Sequence, residues 1–146
     1  MTTTHPIMRK QLRTTAHTQM LDITEAVAEA VRESGAANGI ATVFVAHTTA
    51  AVTLNENTDP DVVRDMTREI GKIVPWEDGY HHAEGNSAAH LKASLFGASE
   101  QLIIENGRLV LGTWQGIYFA EFDGPRQRQF CIKIQADSDQ ASGGAQ

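Results

Sequence analysis

The sequence predicts a single α+β domain in which most strands run antiparallel. Three observations carry that reading. Ile40-Ala41-Thr42-Val43-Phe44-Val45-Ala46 is a β-branched run bounded by Gly39. Asn106-Gly107, set between two apolar runs, is a two-residue hairpin turn. Asp59-Pro60 opens a helix in which Val62, Val63, Met66, Ile70 and Ile73 recur at helical spacing and are expected to face the core.

Taken in order, residues 1–5 are expected to lie untethered. Weak alternation between Pro6 and Ile23 reads as two strands. Thr24 is expected to cap a helix running to Ser34, with Val27, Ala30 and Val31 inward and Gly35 ending it. His47-Thr48-Thr49-Ala50 then interrupts two strong strands. It is either a site or a hairpin turn whose hydroxyls satisfy local backbone. The helix from Pro60 breaks between Gly71 and Pro75, and a ten-residue loop, Trp76 to Gly85, follows. Asn86 is a good cap for a third helix ending at Gly97. The last third reads as β: Gln101–Glu105 and Arg108–Leu111 across Asn106-Gly107, then Ile117–Phe122 and Gln129–Ile134 as a hairpin across Asp123–Arg126. The domain is expected to span residues 1–135, with 136–146 a disordered tail.

The 146 residues are ample for one core, and 41% apolar with 21% charged side chains is an ordinary globular balance. A net charge of −6 argues against nucleic acid as a partner, since phosphate neutralisation needs Lys and Arg. Arg108, Arg126 and Arg128 leave room for a local cationic pocket. One cysteine excludes an internal disulfide framework, and Cys131 reads as a small buried hydrophobe. No leader pattern and no run of about 18 apolar residues is present, so a cytoplasmic location without membrane contact is expected.

The candidate chemistry gathers between Tyr80 and Gly97, where three of the six histidines fall. If a helix begins at Asn86, its first backbone N–H groups are unpaired and attract an anion. Asn86 and His90, four residues apart, would share a face. His82 and Glu84 could fold back over the same end. Two readings stay open. His47, His82 and His90 could hold a zinc-like divalent cation and leave a position free for water or substrate. Alternatively, Thr48, Thr49, Asn86 and Ser87 could donate to a phosphate, with one histidine as general acid or base. Trp114 and Gln115 could wall the pocket, although a core tryptophan at a strand break explains Trp114 equally well.

His47-Thr48-Thr49-Ala50-Ala51, His82-x-Glu84-Gly85-Asn86-Ser87-x-Ala89-His90-Leu91-Lys92, Gly112-Thr113-Trp114-Gln115-Gly116 and Glu121-Phe122-Asp123-Gly124-Pro125-Arg126 together resemble the YjbQ-like family. The resemblance runs from about residue 7 to 135. It implies a mixed, mostly antiparallel β-sandwich with three helices, assembled as a homotrimer. It also implies a secondary thiamine phosphate synthase activity, a transferase reaction that joins a hydroxymethylpyrimidine diphosphate to a thiazole phosphate. The partner would then be a phosphorylated small molecule. The matching positions are His47, His82, Glu84, Asn86, Ser87, His90, Trp114 and Gln115. His82, His90 and Glu84 become the expected catalytic set, with His81 an alternative to its neighbour. A non-catalytic metal- or phosphometabolite-binding protein would use the same pocket.

Overall fold

The computed structural model describes residues 2–138. Among them the chain forms β1 (Thr2–Thr4), β2 (Met8–Arg13), β3 (Gln19–Asp22), α1 (Thr24–Ser34), β4 (Gly39–Phe44) and β5 (Ala50–Glu56). Then follow α2 (Pro60–Ile73), α3 (Ser87–Phe96), β6 (Ser99–Glu105), β7 (Arg108–Leu109), β8 (Gln115–Glu121) and β9 (Gln127–Asp137). The larger sheet has the order β1-β9-β4-β6-β7, with β2 also paired to β9; the smaller is β3-β8-β5. Every pairing is antiparallel. The expected α+β sandwich with three helices is the observed fold.

Period-two alternation sorts the side chains between layers. On β8, Ile117 and Phe119 join Val43, Val52, Ile132 and Ile134 in the core between the sheets, with Val27, Ala30 and Val31 of α1. Ala120, next after Phe119 on β8, and Phe122, just past the strand's end, pack instead with Ala89 and Ala93 of α3. β8 is therefore covered on both faces, which explains its continuous apolar run. Small residues at Ala51, Ala89, Ala93 and Ala120 let α3 sit close on the smaller sheet. Gly39 permits a similar approach within the larger sheet, because a Cβ there would collide with the carbonyl oxygen of Gln135.

The chain passes repeatedly from one sheet to the other, and this overturns two expectations. The His47–Thr49 interruption is not a hairpin: β4 belongs to the larger sheet and β5 to the smaller. Likewise β8 and β9 do not pair, and residues 122–126 carry the chain between sheets. Alternation signals strands but does not say which strand each one meets.

Other differences are local. Thr2–Thr4 are tied down, as β1 pairs with Gln135, Ala136 and Asp137. β9 runs to Asp137, two residues past the expected domain end, and the expected tail beyond 138 lies outside the described residues. Thr24 starts α1 without capping it. Its N–H and hydroxyl both donate to Asp22 Oδ1, at 2.9 and 2.5 Å, and its Oγ1 accepts from the Ile117 N–H. α2 has the expected Asp59 cap, accepting from Asp61 N–H at 2.9 Å, but buries none of its residues fully. Ile70 touches the α3 cluster, while Ile73 is 70% exposed. Among the described residues no helix is long and apolar enough to cross a membrane.

Three crossings between the sheets are tied by one buried ion pair. Glu121, at the end of β8, meets Arg128 on β9; the Nε–Oε1 distance is 2.8 Å, and Nη2 also bonds Oε2. Thr14, just after β2, donates to Glu121 Oε1 at 2.8 Å and accepts from Arg126 N–H at 2.9 Å. Thr49, before β5, accepts from Arg128 Nη2 at 2.8 Å. Burial alone would raise the Glu121 pKa, but hydrogen bonds from Arg128, Thr14 and the Asp123 N–H hold it below its ordinary 4.5. The stability this contributes is fully present above 4.5 and is lost as pH falls through the lowered value. Replacing one partner alone (Glu121→Leu or Arg128→Met) should cost about 3–5 kcal/mol, because it strands a buried charge. The double variant should recover most of that. Urea denaturation at neutral and acidic pH checks both statements; an acid response as steep in Glu121→Leu as in wild type would contradict the assignment.

Candidate functional site

The long connection between α2 and α3 builds a cavity over the first turns of α3. The Tyr80 hydroxyl donates to the Pro75 carbonyl at 2.7 Å and folds the loop back on itself. The Gly85 N–H donates to the His82 carbonyl at 3.1 Å and closes a turn immediately before the helix. The resulting cavity, of about 570 Å³, is lined by Gly79, Tyr80, His81, His82, Ser87, His90 and Leu91. Its size suits a small-molecule ligand. The rings of His82 and His90 lie edge to face, their centroids 5.5 Å apart. The spacing places His90 one turn into α3, so the loop histidine reaches it without distortion.

Asn86 takes the cap position through its backbone, with the Ala89 and His90 N–H groups donating to its carbonyl at 3.0 and 3.4 Å. Its side chain does not cap the helix. Instead Nδ2 donates to Asp123 Oδ2 at 2.9 Å, a carboxylate also bonded by Arg126 Nη2 at 3.1 Å. Asn86 Oδ1 is enclosed, and the described residues offer it no donor. An amide oxygen left so costs about 1–3 kcal/mol. The helix start is thus anchored to the β8–β9 crossing by Asp123, a residue the sequence offers only as part of a turn and a motif.

The remaining expected site residues lie apart from this cavity. His47 does not line it; its Nε2 accepts from the Gln129 N–H at 3.1 Å, beside the buried ion pair. Burial first, and then the Arg128 charge, lowers the His47 pKa below 6.5. Thr49 is committed to Arg128, and Thr48 is exposed. Trp114 is 58% exposed, which removes the core reading, and Gln115 folds back to accept from Gly112 N–H at 2.8 Å. Glu84 is exposed in the loop. Among the described residues no three histidines, cysteines or carboxylates are grouped as metal ligands. The three arginines do not converge: Arg128 pairs with Glu121, Arg126 with Asp123, and Arg108 lines a cavity beside α1.

Gly79, Tyr80 and Leu91 are the lining residues that sequence reasoning missed. The length of the loop was the one available signal for Tyr80.

Because Nε2 of His47 accepts a hydrogen bond, its proton sits on Nδ1. Long-range ¹H–¹⁵N spectra at pH 7 should show that tautomer, with protonation only below the ordinary 6.5. A His47 ring charged at pH 6.5 or above would contradict the placement.

A family model described as UPF0047 protein YjbQ-like matches residues 8–137. The UPF0047 protein YugU of Bacillus subtilis is 53% identical over 125 residues, 85% of this chain and 95% of the relative. A UPF0047 protein of Methanocaldococcus jannaschii is 46% identical over 131 residues, 90% and 95% of the two chains. A crystal structure of an uncharacterised YjbQ/UPF0047 protein from Clostridium acetobutylicum superposes with a TM-score of 0.86 at 56% identity, covering 87% of this chain and 98% of that one. A YbjQ-like protein of unknown function from Sulfolobus solfataricus gives 0.89 at 31% identity, with 94% and 100% covered. With almost every described residue matched and the same fold in its relatives, the chain belongs to the YjbQ-like UPF0047 family.

Proposed function

We propose that the His82–His90 cavity is the active site of a transferase acting on phosphorylated small molecules, with a thiamine phosphate synthase type of condensation. The observation that carries this reading is the pairing of two imidazoles, 5.5 Å apart, over a helix N-terminus in one cavity. In that reaction the C–O bond of a pyrimidine methylene breaks, and diphosphate leaves with the electron pair. The thiazole nitrogen then forms the new C–N bond. Negative charge gathers on the departing oxygens, where the first N–H groups of α3 and the Ser87 hydroxyl can receive it. His90 and His82 add ring N–H donors, and Tyr80 offers a face for the pyrimidine in place of the remote Trp114.

A zinc-like cation in this cavity would take His82 and His90 as two of its ligands, whereas His47, bonded to the Gln129 N–H, does not line the cavity. A bound divalent cation would supply Lewis-acid stabilisation of the leaving diphosphate. The lining contains no carboxylate, a feature that favours a second reading, in which the cavity binds a phosphometabolite without turnover.

Elemental analysis and a turnover assay on wild type, His82→Ala and His90→Ala separate these readings. The expected result is one divalent ion per chain, lost in both variants, with product formation reduced by about 100-fold or more. Saturable ligand binding with no product would select the binder, and full turnover in both variants would sink the site assignment. We also propose a homotrimer, supported by the exposed Ile73, Leu95 and Ile103. Sedimentation should give three times the chain mass of 15.9 kDa; a monomer at micromolar concentration would contradict it.

A further inference from the structure

α3 carries a second chemical feature two residues from His90. Side chains two apart on a helix project about 200° from one another, so Lys92 faces away from the histidine cavity. Lys92 is 5% exposed, and its ammonium makes no hydrogen bond or ion pair among the described residues. A lysine this buried normally meets a carboxylate. Here it lines a cavity of about 360 Å³ with His17, Thr18, Gly71 and Trp76, none of them acidic. The His17 and Trp76 rings stand edge to face, with centroids 4.4 Å apart, and His17 Nδ1 lies 3.1 Å from Thr18 Oγ1. The Trp76 indole N–H also has no acceptor within the described chain. An ammonium and an indole N–H can only donate, and no carboxylate lines the cavity to offset the lysine's charge.

We propose that this cavity is a phosphoryl-binding subsite, in which phosphate oxygens meet the Lys92 ammonium, the Trp76 indole N–H and the Thr18 hydroxyl. It is distinct from the histidine cavity and does not rest on the function proposed there. A phosphate offers enough acceptors for all three donors, and its charge offsets the desolvation of Lys92.

Trp76 is its own reporter. The chain has two tryptophans, so Trp114→Phe leaves Trp76 as the sole indole. Inorganic phosphate added to that protein at constant ionic strength, with chloride as the balancing anion, should give a saturable change in emission. Lys92→Met in the same background should weaken the apparent affinity by about tenfold or more. Glycerol 3-phosphate, titrated in parallel, identifies the source: tighter binding than inorganic phosphate assigns a phosphate ester, and weaker binding assigns the free anion. His82→Ala with His90→Ala, made in the same Trp114→Phe background, should leave this emission response unchanged. Absence of any phosphate response, an unchanged affinity in Lys92→Met, or loss of the response in the double histidine variant would each overturn the proposal. If Lys92→Met does not fold by circular dichroism, Thr18→Val, at the rim, takes its place and should weaken binding by about threefold or more.

Discussion

The Glu121–Arg128 pair is the constraint on which the arrangement depends. An ionic contact at this depth gains little net stability over apolar packing, because both groups forfeit their hydration. What it fixes is geometry. Thr14, Thr49, Glu121 and Arg128 come from three separate passages between sheets, and one guanidinium and one carboxylate satisfy all of them. A wrong passage would leave a charge buried and unmatched, so the pair discriminates against alternative connections. From this anchor, Asp123 reaches Asn86 and sets where α3 begins. The position of His90 thus follows from a contact on the opposite side of the smaller sheet.

Much of the secondary structure was legible because local chemistry decides it. Asp59-Pro60 begins α2, Asn106-Gly107 turns β6 into β7, and Gly35 and Gly97 end their helices. Partner choice was not legible. β8 and β9 look like neighbours across a Gly-Pro turn, yet they pair into different sheets, since the decisive contacts lie about a hundred residues apart in the chain. α2 shows the complementary failure: its periodic apolar stripe predicts a core-facing helix, but periodicity reveals a face without revealing what covers it.

The site was legible in part. His82, Ser87 and His90 converge because loop and helix are adjacent in sequence, so spacing alone suffices. His47 and Trp114 come from remote segments, and their motif character did not guarantee proximity to that cavity. Lys92 was visible only as a member of a motif. Its significance lies in what does not surround it, and only three-dimensional packing shows that.

The place of β9 has a consequence for how the chain comes to be folded. β9 is flanked by β1 and β2 on one side and by β4 on the other, although it is the last strand among the described residues. During synthesis from the N-terminus, the opening strands emerge with their edges unsatisfied and wait for residues 127–137. Such long-range closure is slow, since the entropy of the intervening loop must be lost before any contact rewards it. Until β9 arrives, the nascent larger sheet has a gap at its centre, and the half-made chain exposes strand edges to its neighbours on the polysome.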